Sequence, residues 1–372
     1  MLDQTPFVSG LDLAEAFYQE VGAPILQANF PDLLYSAGLI GWGSEVLGFD
    51  TPLSRDHHWG PRFMLFLSEE DDAQLRQKIS QIFSQELPHR FRGYPTSFST
   101  PDSVGVRLMV PTEAGPVHHM IHIEPLRSLL RWYLGHDLTT PLTPSDWLTF
   151  SEQKLLALTS GKVFHDGLGV LDPMRNALAY YPRDIWLYQM ASLWQQISEE
   201  EPFVGRAGSV GDELGSRLIA SRQVHLLMRL CFLMERQYAP YSKWFGSAFS
   251  RLKSAPILNP LYNRVFTAET WQEREIPLCA AYETVAHLHN ELKITPPVKE
   301  KVSFFHERPY KVIHADEIAN AIREQIRDET VRAIPALIGS VNDFSACTPF
   351  LESPELTRRA KILYVDNIRS GG

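Results

Sequence analysis

Residues 41–67 read GWGSEVLGFDTPLSRDHHWGPRFMLFL. The stretch opens on closely spaced glycines, crosses a Ser-Arg-Asp-His-His cluster and ends in an unbroken apolar run. Glycine lets a backbone approach a phosphate because no Cβ stands in the way. Carboxylates and imidazoles bind metals or move protons. Their nearness predicts a site, and the spacing decides which. The dinucleotide fingerprint G-x-G-x-x-G, begun at Gly41, needs glycine at 46, where Val46 stands. A P-loop fits Gly43 and Gly48 but then requires lysine, and Phe49 follows. What remains is a strand ending in Gly43-Ser44, eleven residues, then Asp56-His57-His58 entering a second strand. A Gly-Ser turn offers amides and a hydroxyl to phosphate oxygens. Asp56 and His58, two apart on a strand, share a face and can hold one cation against those phosphates.

The rest of the chain sets the frame. With 372 residues there is length for about two domains, and 8 Trp, 13 Tyr and 20 Phe supply a large core. A formal charge of -9 argues against a broad nucleic-acid or anionic-membrane surface. Cys231, Cys279 and Cys347 are far apart and form no CxxC, which points to a reducing compartment. The N-terminus lacks a signal-peptide pattern, and no apolar run approaches the roughly 18 residues of a membrane span. The expected location is the cytoplasm, with no membrane partner.

Periodicity predicts short helices at 11–20 and 31–36 and strands at 39–42 and 62–67. A helix capped by Ser68 should run to about 87, with Glu69, Glu70, Asp71 and Asp72 in its positive first turn. Segments 103–110 and 117–124 alternate around TEAGP and predict a hairpin. A helix is expected at 126–134 and a small hairpin at 162–171. Long helical patterns follow at 183–199, 212–238, 268–292 and 314–328. The expected fold class is α+β: a small mixed-sheet α/β domain over 1–143, then a larger, mainly helical domain over 144–372.

The Gly-Ser…Asp-x-His pattern resembles the DNA polymerase beta-like nucleotidyltransferase superfamily, and in particular its kanamycin nucleotidyltransferase-like branch. The stretches AGLIGWGSEVLGFDTPLSRDHHWGPR, LTSGKVFHDGLGVL, YYPRDIWLYQMASLWQ, GRAGSVGDELGSR, MERQYAPYSKWFG and RPYKVIHADEIANAIREQIRD are similar to an uncharacterised bacterial family carrying that fold. The resemblance implies that a nucleoside monophosphate moves from an NTP, expected to be ATP, to an unidentified acceptor hydroxyl. It implies a Mg2+ or Mn2+ ion held by Asp56, His58 and Glu124. His58 stands where the superfamily has a second carboxylate, which favours the softer Mn2+ or marks a degenerate site. The alternative function is therefore a nucleotide-binding or protein-interaction module that has lost catalysis.

Further candidates surround this set. In VHHMIHIEP, His118, Met120, His122 and Glu124 should share one strand face, with His119, Ile121 and Ile123 on the other. Arg55 and Arg62 flank the Asp-His-His cluster and either pair with triphosphate oxygens or form ordinary ion pairs. Tyr241 and Lys243, in PYSKW, either reach a phosphate or leave the lysine snorkelling from an aromatic surface. Asp212 and Glu213 either favour the positive start of a helix or, for Glu213, act as the general base. Asp166 is expected to stabilise a turn.

Overall fold

The computed structural model describes residues 7–55, 58–103 and 105–365. In chain order its early elements are α1 (Gly10–Phe17), α2 (Ala23–Asn29), β1 (Ser36–Leu39), β2 (Met64–Phe66), α3 (Glu69–Glu86), β3 (His122–Glu124) and α4 (Leu126–Leu134). Next come α5 (Pro144–Thr149), α6 (Glu152–Thr159), β4 (Lys162–Asp166) and α7 (Leu171–Ala177). The remaining long helices are α8 (Arg183–Glu200), α9 (Phe203–Ser209), α10 (Glu213–Met234), α11 (Ser242–Phe249), α12 (Ala255–Thr267), α13 (Trp271–Glu291) and α14 (Ala315–Arg323). The architecture is α+β, a small mixed sheet with helices and a larger helical part.

The chain divides into two compact units that interleave: Met1–Pro141 with Lys154–Ala179, and Leu142–Gln153 with Tyr180–Gly372. This differs from the single boundary expected between 143 and 144. The reason is β4, which belongs to the first unit's sheet. Residues 162–171 do not fold as a local hairpin; β4 pairs antiparallel with β1 instead.

That sheet has the order β3-β2-β1-β4. β1 runs antiparallel to both neighbours, and β2 is parallel to β3 with Met64 opposite His122 and Phe66 opposite Glu124. The run from Phe63 to Leu67 is apolar without alternation because β2 is covered on both faces. On one face Phe63, Leu65 and Leu67 join Ile121, Ile123, Ile79, Phe83, Leu13 and Phe17 in a core cluster. Met64 and Phe66 point to the other face and are equally buried. α3 starts as expected, with the Ser68 hydroxyl accepting from the Asp71 amide at 3.0 Å.

Three local expectations are corrected. Residues 31–36 are a turn leading into β1, not a helix, and β1 ends at Leu39 rather than 42 because Gly41 and Gly43 take positive φ. Among the described residues, segments 103–110 and 117–124 form no strand pair with each other. Residues 97–99 lie between them: Val110 N–H donates to Ser97 O at 2.8 Å, and Phe98 N–H to His118 O at 2.9 Å. β3 finds its partner in β2, which local alternation cannot reveal.

The second unit is built around α8. Ile185, Trp186, Leu187, Tyr188, Met190, Leu193, Trp194 and Ile197 are all buried, so this helix is apolar nearly all round, as a central helix must be. α10, α13 and α14 pack within the same unit. No described helix is long and apolar enough to cross a membrane.

Candidate functional site

The loop after β1 turns at Gly43–Ser44, the phosphate-turn candidate of the sequence. Gly43 has φ +128°, a value glycine tolerates and other residues rarely adopt. A Cβ there would lie 2.6 Å from Glu45 Oε2 and 2.7 Å from Arg62 Nη2, so glycine is also required by space. Ser44 O accepts from Phe49 N–H at 2.9 Å and Glu45 O from Gly48 N–H at 3.1 Å, closing a compact turn. Among the described residues, the Gly43 and Ser44 amides and the Ser44 hydroxyl donate to no protein acceptor.

What holds this turn is a pair the sequence reading missed. Arg62 and Glu45 are 3% and 2% exposed. The Arg62 guanidinium donates from Nε (3.1 Å) and Nη2 (2.5 Å) to Glu45 Oε1, and from Nη2 to Trp42 O at 2.9 Å. Arg62 is thus committed inside the protein; the expectation that it grips a triphosphate is corrected by its burial. A second clamp is Asp50, whose Oδ2 accepts from Gly10 N–H at 2.7 Å and Trp59 Nε1–H at 3.0 Å. It ties the loop to the start of α1. Arg55 is half-buried, donates to Pro52 O at 3.0 Å, and lies 5.8 Å over the Trp59 ring.

Asp56 lies outside the described residues, as does His57. His58 is described, and its φ of +53° places it in the left-handed region, not in a strand. β2 begins only at Met64, so the argument that residue 58 shares a strand face with Asp56 does not hold. His58 N–H donates to Arg107 O at 3.1 Å.

Glu124 lies where the alternation put it, on the face of β3 opposite Ile121 and Ile123, and it is buried. Its carboxylate accepts from Trp132 Nε1–H at 3.2 Å (Oε2) and 3.3 Å (Oε1). His122 Nε2 lies 2.5 Å from Oε1. His119, on the other face, contacts Ser80 O at 3.0 Å, and burial pushes its imidazole below the usual histidine range. Trp42 joins the Gly43–Ser44 turn to Glu124. Its ring is 5.7 Å from His122, edge to face, and 5.5 Å from Trp132.

These residues do not by themselves fit a resident metal. Among the described residues no three His, Cys, Asp or Glu side chains are grouped to hold an ion. His58, His122 and Glu124 therefore do not form one ligand set, and the Glu124 oxygens are engaged by Trp132 Nε1–H and His122 Nε2.

The other expected residues belong to the second unit. Asp212 caps α10, its Oδ1 accepting from Gly215 N–H at 2.7 Å. Glu213 accepts from Trp271 N–H at 3.0 Å and Arg274 Nη1 at 3.1 Å. Partial burial opposes its ionisation, but these two donors outweigh it and hold the carboxyl below the usual range. Glu213 thus ties the start of α10 to the start of α13 through these two donors, the bland alternative to the general-base expectation. Tyr241 precedes α11 as its N-cap, and the exposed Lys243 ammonium lies 4.9 Å over the Trp244 ring, as a snorkelling lysine does. Asp166 closes a turn as expected, accepting from Ser36 Oγ at 2.6 Å and Val170 N–H at 3.0 Å.

A cleft of about 550 Å³ in the first unit lies elsewhere, where β2 and β3 end; Leu126, Leu130, Val170 and Met174 line it with Arg127 and Asp137. It contains none of the residues expected from the sequence.

A family model described as "Domain of unknown function (DUF4037)" matches residues 147–245. Nothing among curated proteins matches the chain. Among solved structures the chain is similar to a nucleotidyltransferase-like protein from Exiguobacterium sibiricum 255-15. The identity is 11%, the match covers 75% of this chain and 78% of that chain, and the TM-score is 0.33.

Proposed function

We propose that this protein moves a nucleoside monophosphate from an NTP to an acceptor hydroxyl, receiving the triphosphate at the Gly43–Ser44 turn. The observation that carries the reading is the set of amide and hydroxyl donors at Gly43 and Ser44, which among the described residues serve no protein acceptor, beside a loop fixed by a buried ion pair. Such pre-organised donors suit phosphate oxygens, because little reorganisation remains to be done on binding. In the transfer the acceptor oxygen bonds to the α-phosphorus, pyrophosphate leaves with the electrons of the broken bond, and the hydroxyl proton passes to a base. Nucleotidyl transfer asks the protein chiefly for alignment and charge. The Mg2+ or Mn2+ ion arrives with the triphosphate as part of the substrate, and Asp56 is the residue proposed to meet it.

A second reading, nucleotide binding without transfer, is favoured by one observation: Glu124 is occupied by His122 and Trp132 and, among the described residues, is not grouped with other ligands. Calorimetric titration of the full chain with MgATP tests what both readings share. Ser44→Ala should weaken MgATP binding about tenfold, the worth of a hydrogen bond to a charged group. Unchanged affinity in Ser44→Ala would remove the phosphate turn from the account.

A further inference from the structure

Trp132 combines exposure with immobility. Its residue is 48% exposed, although a tryptophan of an ordinary surface helix buries most of its area. Its indole N–H is fixed between both oxygens of the buried Glu124 carboxylate. Trp42 packs against it at 5.5 Å with ring planes tilted by 49°, and Tyr133 braces it edge-on at 5.6 Å and 85°. With the N–H consumed, what Trp132 offers to solvent is ring surface with no free donor. A flat, rigid aromatic surface held at low entropy cost is what recognition surfaces use.

The neighbour of this surface identifies its occupant. Trp42 is bonded directly to Gly43, and its carbonyl is fixed by Arg62 at 2.9 Å. The aromatic surface and the phosphate turn are therefore one continuous, internally braced structure. A compound carrying a planar heteroaromatic ring a few bonds from a phosphate chain matches both parts; a lone phosphate matches only the turn. A quaternary ammonium would need several ring faces converging on one point, whereas His122 stands perpendicular to Trp42 and is tied to Glu124.

We propose that the exposed ring of Trp132, braced by Trp42, is the stacking platform for the base of the nucleotide whose phosphates meet the Gly43–Ser44 turn. The proposal rests on the reading of that turn. Stacking is tolerant of base identity, because every base presents a π face. ATP, GTP and CTP should accordingly bind within a few-fold of one another.

The test is calorimetry on the full chain with two probes, magnesium-loaded ATP and magnesium-loaded tripolyphosphate. Trp132→Ala should weaken ATP about tenfold and leave tripolyphosphate within about twofold. Trp132→Phe keeps a ring face while losing the N–H, so it should retain most of the ATP affinity. If Trp132→Ala fails to fold, Trp132→Leu, which keeps bulk without a π face, should show the same selective loss. ATP affinity unchanged in the alanine or leucine variant, or an equal fall for both probes, would overturn the platform while leaving the phosphate turn standing. A wild-type protein that binds neither probe would instead overturn the turn reading, and the platform with it.

Discussion

Glu45 decides more than any expected catalytic residue. Its carboxylate neutralises Arg62 in a setting where both are buried, and the pair fills the space a Cβ at Gly43 would need. Removing one partner of a buried pair leaves the other charge without compensation, at a cost of about 3–5 kcal/mol. Glu45→Ala should therefore lower the stability of the first unit by about that amount in chemical denaturation, and should weaken MgATP binding by disordering the turn. A loss below about 1 kcal/mol would mean that the pair is not buried in solution. Sequence reading selected Gly43, Ser44 and Arg62 and left Arg62 open between a triphosphate and an ion pair, without naming Glu45. A carboxylate and an arginine seventeen positions apart show no local signal of being paired. Glu124 was legible because period-two alternation in MIHIE sets its face; its neighbour Trp132 was not, since it comes from the helix that follows.

Helices and strands were legible in proportion to how local their causes are. Ser68 with its acidic first turn announces α3, and Asp212 announces α10. β4 was misread as part of a hairpin because its partner, β1, lies far back in the chain. The short strands of this sheet carry little pattern of their own, and pairing rather than propensity defines them. In the second unit, α13 carries a buried histidine with a measurable consequence. His289 Nε2 contacts Thr295 Oγ1 at 2.9 Å, while its buried Nδ1 has no partner among the described residues. Burial pushes the imidazole down to about 4, because the charged ring would lose its hydration there. The unfolded chain takes that proton near the ordinary value of 6.5 and the folded chain refuses it until about 4. Stability is therefore fully present above pH 6.5 and is lost as pH falls toward 4, by on the order of 3 kcal/mol from this residue. Denaturation midpoints of the wild type and His289→Gln across that range check this. The variant should show a shallower decline; parallel curves would show that His289 does not contribute.

At the scale of the whole molecule, periodicity placed a small mixed sheet ahead of a larger helical part, and the expected single boundary did not anticipate that the two units interleave along the chain. Interleaving depends on which segments meet in space, and 154–179 belongs to the first unit, where β4 pairs with β1. The same limit applies to function. The turn, the buried pair and the aromatic surface are proposed to receive a nucleotide, and what distinguishes catalysis from binding is the fate of its α-phosphate. The most direct test is to incubate the full chain, with Mg2+ and then Mn2+, in a cell extract containing ATP labelled on the α-phosphate, and in parallel ATP labelled on the γ-phosphate. The account predicts that the α-label appears in a new product while the γ-label leaves as pyrophosphate, and that Ser44→Ala slows both. Transfer of the γ-label to product, or MgATP binding with no consumption of either label, would contradict nucleotidyl transfer.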